Sequence, residues 1–239
     1  MTQARVAGIM QPYFLPYIGY WQLLAAADVF VIYDDVKFTK AGWIHRNRML
    51  VNCRPDWFTI PLEAGPDAAM IRDRHISSSF ASRERDATLR RFEAAYRRAP
   101  FVEEGLELVR RCLTTETRSL FEFIAQSISL VADHLGITTP RLISSSLAVD
   151  PSLSGQARVI ATCIAVGATT YRNPPGGRPL YAPEAFERAG IELQFQSVNE
   201  IAYPQGCTEF VAKLSIIDVI MNVPKPERTA MLQSVSWGP

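Results

Sequence analysis

The chain has 239 residues, of which 48% are hydrophobic and 21% are charged, and its formal net charge is +1. A chain of this length buries roughly 70% of its unfolded surface or more, so its core needs neither a disulfide nor a metal. The small net charge excludes a bulk field that recruits nucleic acid or an anionic membrane, so any anion site must come from a local basic cluster.

The first part of the chain predicts a strand, a helix and a second strand. Residues 5–10 form a short apolar run, residues 18–27 have helical apolar spacing, and residues 28–36 are β-branched and aromatic before two aspartates. So short a strand–helix–strand unit indicates parallel strands joined by a right-handed crossover. Residues 57–62 alternate as a further strand.

The middle of the chain is helical and the last third alternates again. Residues 81–135 predict a helical section that is inserted in the sheet or covers it, with helices over 81–98, 101–113 and 117–135. The later strands are expected at 140–146, 168–173 and 191–196, the helices at 155–167, 183–190 and 213–221, and a loop at 174–177. This order predicts one α/β domain over residues 1–239, with a parallel-sheet, three-layer, Rossmann-like core.

The cysteines and histidines give no sign of a metal site. Cys53, Cys112, Cys163 and Cys207 lack metal-binding spacing, and the three histidines are far apart. Cys207 lies in a polar turn and is expected to be incidental. The chain also shows neither a signal-peptide core nor an apolar run of membrane length. We therefore expect a reduced, cytoplasmic protein without membrane insertion.

Three polar segments follow predicted strands, at residues 11–20, 34–49 and 173–181. In parallel sheets, ligands bind beyond the carboxyl ends of the strands, so these segments are expected to converge on one site. Within the second segment, Asp34 and Asp35 are candidates for a metal ligand or a general base. The alternative is that one aspartate caps the loop and the other pairs with an arginine.

The same segment carries basic groups beside an aromatic ring. Arg46, Asn47 and Arg48 suit a phosphate or a carboxylate, with a solvated basic turn as the alternative. Trp43 favours a ligand site because an indole beside guanidinium groups makes a stacking surface. In the third segment, Gly176 and Gly177 allow close backbone approach, although the sequence lacks a P-loop.

Several blocks resemble the WbqC-like family. They are "IMQPYFLPYIGYWQLLAAADVFVIYDDVKFTKAGWIHRNRM", "GQARVIATCIAVGATTYRNPPGGRPLY" and "LSIIDVIM", and they span the chain from near its start to about residue 221. Members of this family are typically encoded with bacterial O-antigen, other surface-polysaccharide and some natural-product pathways. His45 stands where the family pattern has asparagine, and Cys207 falls in a stretch that usually reads differently.

The resemblance and the patterns together nominate two sets of residues. The candidate catalytic residues are Asp34, Asp35 and Lys40. The candidate substrate-binding residues are Gln11, Tyr13, Tyr17, Tyr20, Trp43, Arg46, Asn47, Arg48, Asn173, Gly176, Gly177, Tyr181, Ser215 and Asp218. For Asp218 a buried structural pairing is the alternative to a functional role.

The opening segment also resembles nucleotidylyltransferases of the HUP class. Those enzymes place an HxGH motif between the first strand and a helix whose amino end meets phosphate. Here Tyr17 and Tyr20 stand at the histidine positions. The resemblance therefore implies a nucleotide or anion site without the histidines that steady the transferring phosphate.

The resulting functional expectation is a transferase of surface-polysaccharide or related natural-product biosynthesis. It would move an acyl or aminoacyl group onto an amino-sugar or a similar amine, with an activated donor such as an acyl thioester as the candidate cofactor. The alternative is a non-catalytic nucleotide-sugar binder on a degenerate nucleotidylyltransferase scaffold. We expect a small-molecule or nucleotide-sugar substrate and no nucleic-acid partner, and we leave a homodimer open.

Overall fold

The computed structural model of the protein describes residues 4–197 and 201–239. The strands are β1 (Val6–Met10), β2 (Val29–Ile32), β3 (Arg46–Val51), β4 (Arg54–Thr59), β5 (Arg141–Ile143), β6 (Thr170–Asn173), β7 (Glu192–Ser197) and β8 (Ser236–Gly238). The α-helices are α1 (Ile18–Ala25), α2 (Arg85–Tyr96), α3 (Val102–Leu113), α4 (Leu120–His134), α5 (Gly155–Ala165), α6 (Pro183–Arg188), α7 (Ile216–Asn222) and α8 (Lys225–Gln233).

Six strands form the main sheet in the order β5-β2-β1-β6-β7-β8. The first five are parallel to their neighbours, and β8 pairs antiparallel with β7. The chain moves outward from β1 through β2 to β5 and then returns to place β6 on the other side of β1. This reversal makes a crevice at the carboxyl ends of β1 and β6, where ligands of such sheets bind.

Helices cover both faces of the sheet, which confirms the predicted three-layer α/β architecture. In β2, Val29 and Val31 face one apolar core with residues of α5 and α6. Phe30 and Ile32 face the other core, which contains α1, the helices of the section 81–135, α7 and α8. The alternation follows from the two-residue period of a strand, and it makes both faces of the sheet apolar.

A separate hairpin corrects the prediction for residues 34–49 and 57–62. Residues 46–49, expected in the polar segment after the second strand, instead belong to β3, which pairs antiparallel with β4. The strand expected at 57–62 instead begins at Arg54 and ends at Thr59. The turn between the two strands consists of Asn52 and Cys53, whose φ angles are 50° and 60°. Positive φ at both turn residues matches the twist of a two-residue hairpin, a signal that the sequence pattern did not show.

Other differences from prediction are local. Residues 175–177 of the expected loop at 174–177 lie in a 3-10 helix, Pro175–Leu180. The strand expected at 28–36 is shortened to β2, Val29–Ile32. The predictions also missed α8 and β8. Only Arg228, Met231 and Leu232 of α8 are buried, so its apolar pattern is weak.

A disulfide joins Cys53 in the hairpin turn to Cys207, across a sequence separation of 154 residues. The expectation of an entirely reduced protein with an incidental Cys207 is therefore wrong. The spacing of the two cysteines carries no hint of the pairing, because only the packed fold brings them together. Cys112 and Cys163 are free and buried. No helix in the described ranges combines the length and the apolar character that a membrane crossing requires.

Candidate ligand-binding site

A cavity of about 860 Å³ lies at the carboxyl ends of β1 and β6, where the strand order reverses. Side chains from all three predicted polar segments line this cavity. Ten of the candidate substrate-binding residues are among them: Gln11, Tyr13, Tyr17, Trp43, Asn47, Arg48, Asn173, Gly176, Gly177 and Tyr181. The structure thus brings the three segments together.

The segment after β1 is fixed by backbone-directed hydrogen bonds. The buried amide of Asn47 donates to the carbonyl oxygens of Phe14 at 3.2 Å and Leu15 at 2.7 Å. The Ser215 hydroxyl donates to the same Leu15 oxygen at 2.8 Å. Leu15 has a φ of 48°, a conformation that is strained for a leucine and needs such support. Asn47 and Ser215 therefore shape one wall of the cavity through this loop.

Tyr17 and Tyr20 have different environments, although both were expected at the site. Tyr17 lines the cavity, and its ring lies so close to Gly19 that an added β-carbon there would be 2.4 Å from Cε2. Tyr20 is buried in the core against Phe30, with ring centroids 5.4 Å apart, and is absent from the cavity lining. Burial raises the pKa of Tyr20 well above its usual range. Tyr20, a predicted substrate-binding residue, therefore lies in the core and outside this cavity.

The hairpin supplies a cationic and aromatic wall. The Arg48 guanidinium lies 5.3 Å from the ring centroid of Trp43 and donates to the carbonyl of Lys213 at 3.3 Å. All three residues line the cavity. Arg46 points elsewhere: its guanidinium stacks on Trp57 and donates to the carbonyls of residues 41 and 42. Side chains alternate between the two faces of a strand, so Arg46 and Arg48 lie on one face of β3 and Asn47 is buried on the other.

The two aspartates after β2 are held by other protein groups. Asp34 accepts hydrogen bonds from the Ser145 hydroxyl at 2.6 Å and the Ser145 N–H at 3.0 Å, with the Ser144 hydroxyl 2.9 Å away. Asp35 pairs with Arg158. This arrangement is the alternative that the sequence left open, a loop anchor and an ion pair. Neither aspartate is in the cavity lining, although Arg158 is.

Lys40 lies apart from the cavity lining. Its ammonium group forms a 2.5 Å ion pair with Asp67, and both side chains are mostly exposed, at 68% and 82%. The hydrogen bond from Lys40 lowers the pKa of Asp67. An exposed pair of this kind contributes little to stability.

The wall formed by the third segment is tightly packed. A β-carbon at residue 177 would lie 2.1 Å from Nδ2 of Asn173 and 3.2 Å from Cε2 of Tyr181, so an alanine there would displace the Asn173 amide. Gly176 has no heavy atom within 4 Å of that position. Gln156 at the start of α5 accepts a 2.5 Å hydrogen bond from the backbone N–H of Ala182. The close backbone approach that the glycines were expected to allow occurs at Gly177, against the side chains of Asn173 and Tyr181.

Asp218 lies outside the cavity lining, buried on α7. It accepts hydrogen bonds from the Tyr203 hydroxyl at 2.7 Å and the Gln205 amide at 2.8 Å. Burial raises the pKa of Asp218, and these hydrogen bonds partly oppose that shift. Ser215 begins the same helix, where its hydroxyl donates to the Leu15 carbonyl and its N–H donates to the Arg48 carbonyl at 2.9 Å. The structure therefore gives both residues packing roles and brings neither into the cavity.

Comparison with known proteins identifies the family. The model of the WbqC-like protein family matches residues 11–230, which include all of the cavity lining except Ile9 and Met10. The chain belongs to this family. It is 27% identical over 222 residues to the uncharacterized protein Rv1507c of Mycobacterium tuberculosis (strain ATCC 25618 / H37Rv), an alignment that covers 92% of this chain and 94% of that protein. No solved structure matches.

The WbqC-like cavity also contains three titratable residues that the sequence did not nominate: Tyr33, Arg158 and Lys213. Arg158 stands in the first turn of an otherwise apolar helix, which is the signal that could have revealed it. Lys213 has a φ of 58°, and no pattern in the sequence predicts that backbone conformation. Burial raises the pKa of Tyr33 to about 12, so its phenol stays protonated at neutral pH.

The chemistry of this WbqC-like lining is that of an anion and ring site. Arg48, Arg158 and Lys213 are cationic, and the described lining residues include no carboxylate, thiol or imidazole. The charge of Arg158 is compensated by Asp35, whereas Arg48 and Lys213 form no ion pair within the described ranges. The positive charge without an acidic partner therefore lies at Arg48 and Lys213, beside Trp43.

Proposed function

We propose that this WbqC-like protein is a transferase that binds a nucleotide-activated sugar, or a similar phosphorylated ring compound, in the cavity. It moves an acyl or aminoacyl group onto an amine of that ligand. The observation that carries the proposal is the pair of uncompensated cations, Arg48 and Lys213, beside the aromatic lining at the point where the strand order reverses.

The size and polarity of the cavity suit such a ligand. A volume of about 860 Å³ falls within the range of small-molecule sites. Arg48 and Lys213 suit a diphosphate, because guanidinium groups bind phosphate with paired hydrogen bonds and ammonium groups act as point charges. Gln11 and Asn173 follow β1 and β6 and offer amide groups to sugar hydroxyls. The pathway context implied by the family resemblance supports the same substrate class.

The acyl transfer requires little acid–base catalysis by protein side chains. An unprotonated amine attacks the acyl carbon of an activated donor, the carbon–sulfur bond of a thioester breaks, and the amine proton passes to the departing thiolate. The protein's part is to orient the two reactants and to donate hydrogen bonds to the developing oxyanion. The amide of Gln11 or of Asn173 is the candidate donor.

Calorimetric titration with UDP-linked amino sugars tests the binding part, with Arg48→Gln as the decisive variant. Loss of one charge-assisted hydrogen bond is expected to weaken binding by roughly 10- to 100-fold. Arg172→Gln is the matched control, since Arg172 also stacks on a tryptophan, Trp237, and is absent from the lining. Equal affinities of the two variants would refute the site.

A second candidate function is nucleotide-sugar binding without turnover. The observation in its favour is that both predicted catalytic carboxylates already have protein partners. Asp34 is hydrogen-bonded to Ser144 and Ser145. Asp35 forms an ion pair with Arg158. Release of free thiol from acyl-CoA donors in the presence of a UDP-linked amino sugar separates the two functions. Thiol release that depends on the amino sugar supports the transferase, whereas tight binding without thiol release across a donor panel supports the binder.

A further inference from the structure

We infer that Trp43 and Trp57 form a platform for the base of the nucleotide, so that the ligand binds with its base at the mouth of the cavity and its sugar toward the sheet. This inference rests on the proposed function and adds an orientation and a binding subsite to it. It also gives a role to Trp57, which lies outside the cavity lining.

The two indole rings are exposed in a way that folding alone does not favour. Each tryptophan is 40% exposed, and their ring centroids lie 5.0 Å apart at an interplanar angle of 33°. Fully buried Trp21 shows that the core accommodates this side chain elsewhere. Paired exposed aromatic rings are the surfaces on which bases stack, because every base has a flat π-face.

Each indole of the platform has a guanidinium group beside it. Arg46 lies 4.6 Å from the ring centroid of Trp57, and its Nε donates to the carbonyl of Gly42 at 3.0 Å. The guanidinium of Arg48 lies 5.3 Å from the ring centroid of Trp43. Because the rings are already ordered, a base that stacks there loses less free energy to side-chain immobilisation.

Continuity with the cavity sets the direction of the ligand. Trp43 and Arg48 belong both to the platform and to the lining. A base on the indole rings therefore places the first phosphates next to Arg48 and Lys213. The sugar then extends toward Gln11 and Asn173 at the strand ends. Near the sheet, Arg158 is neutralised by Asp35, which suits an uncharged sugar better than another phosphate.

The test compares UDP with inorganic pyrophosphate, which lacks the base, by calorimetric titration of Trp43→Leu and Trp57→Leu. Each substitution is expected to weaken UDP binding by about 5- to 150-fold, the equivalent of one base–aromatic stack, and to leave pyrophosphate binding unchanged. Trp237→Leu is the matched control, because Trp237 stacks with Arg172 at 4.8 Å on β8, outside the lining. UDP is also expected to quench tryptophan fluorescence less in both platform variants.

The outcomes separate the inference from the function beneath it. An equal loss for UDP and pyrophosphate would overturn the inference, since the indole rings would then only hold Arg48 in place. Weaker binding of a sugar 1-phosphate, with UDP unaffected, would also overturn it and assign the platform to the sugar ring. If the unaltered protein bound pyrophosphate and bound no nucleotide or nucleotide-sugar, the proposed function itself would fail.

Discussion

Replacing Asn47 by alanine tests how the hairpin holds the loop after β1. The Asn47 side chain is buried and makes three hydrogen bonds: it donates to the Phe14 and Leu15 carbonyls and accepts from the N–H of Arg48 at 2.8 Å. The substitution removes all three bonds. The Leu15 oxygen keeps the Ser215 hydroxyl as a donor, but the other two backbone groups lose this side-chain partner.

The expected cost follows from this count. A buried hydrogen bond contributes about 0.5–1.5 kcal/mol net, and an unsatisfied buried partner costs about 1–3 kcal/mol. Asn47→Ala should therefore lower the free energy of unfolding by roughly 2–4 kcal/mol. The same change should weaken ligand binding, because the strained conformation at Leu15 loses one of its supports.

Urea denaturation at pH 7, read by circular dichroism, measures the free energy of unfolding. Asn222→Ala is the matched control, because Asn222 is half-buried and makes one side-chain hydrogen bond, to the Asp218 carbonyl at 2.9 Å. Its expected cost is about 1 kcal/mol. A loss at Asn47 no greater than the loss at Asn222 would refute the role assigned to Asn47.

Three further predictions concern other parts of the fold. Gly177→Ala should cost roughly 1–3 kcal/mol and weaken ligand binding through its clash at 2.1 Å, whereas Gly176→Ala should change stability by less than about 0.5 kcal/mol; urea titration of both variants decides. The double variant Cys53→Ser, Cys207→Ser should lose about 2–5 kcal/mol of stability, and a reductant should have the same effect on the unaltered protein; an unchanged urea midpoint would count against the disulfide. Burial and nearby arginines lower the pKa of His45 to about 4, so the unfolded chain binds the proton first as the pH falls. Stability should therefore decline from pH 6.5 toward pH 4, and His45→Asn should flatten that slope.

Much of the fold was accessible from the sequence because local patterns were strong. The apolar strand before Gln11 and the β-branched strand before Asp34 predicted parallel neighbours, and the sheet contains that pair. The convergence of three polar segments was also predictable, because carboxyl ends of parallel strands share one edge. The hairpin was missed because its two-residue turn, Asn52 and Cys53, lacks the usual glycine.

The details of the candidate site depended on long-range packing that a linear pattern does not contain. Arg158 meets Asp35 across 123 residues, and Asn47 reaches Leu15 across 32 residues. The sequence identified Asp34 and Asp35 as unusual at a strand end but left two explanations for them. Only the position of Ser144 and Ser145 after β5 shows that hydroxyl groups occupy the Asp34 carboxylate.

The bond between Cys53 and Cys207 closes residues 53–207 into a covalent ring that contains the helical section, α5 and β6. The ring leaves two open ends of the chain, one with β1 and the other with α7 and α8. A protease that cuts once within the ring therefore leaves one covalent molecule, and the fragments separate on a gel only after reduction. In a nicked protein the disulfide still joins the hairpin turn to Cys207, which lies shortly before Lys213 in the chain. Arg48 on the hairpin and Lys213 therefore stay covalently linked.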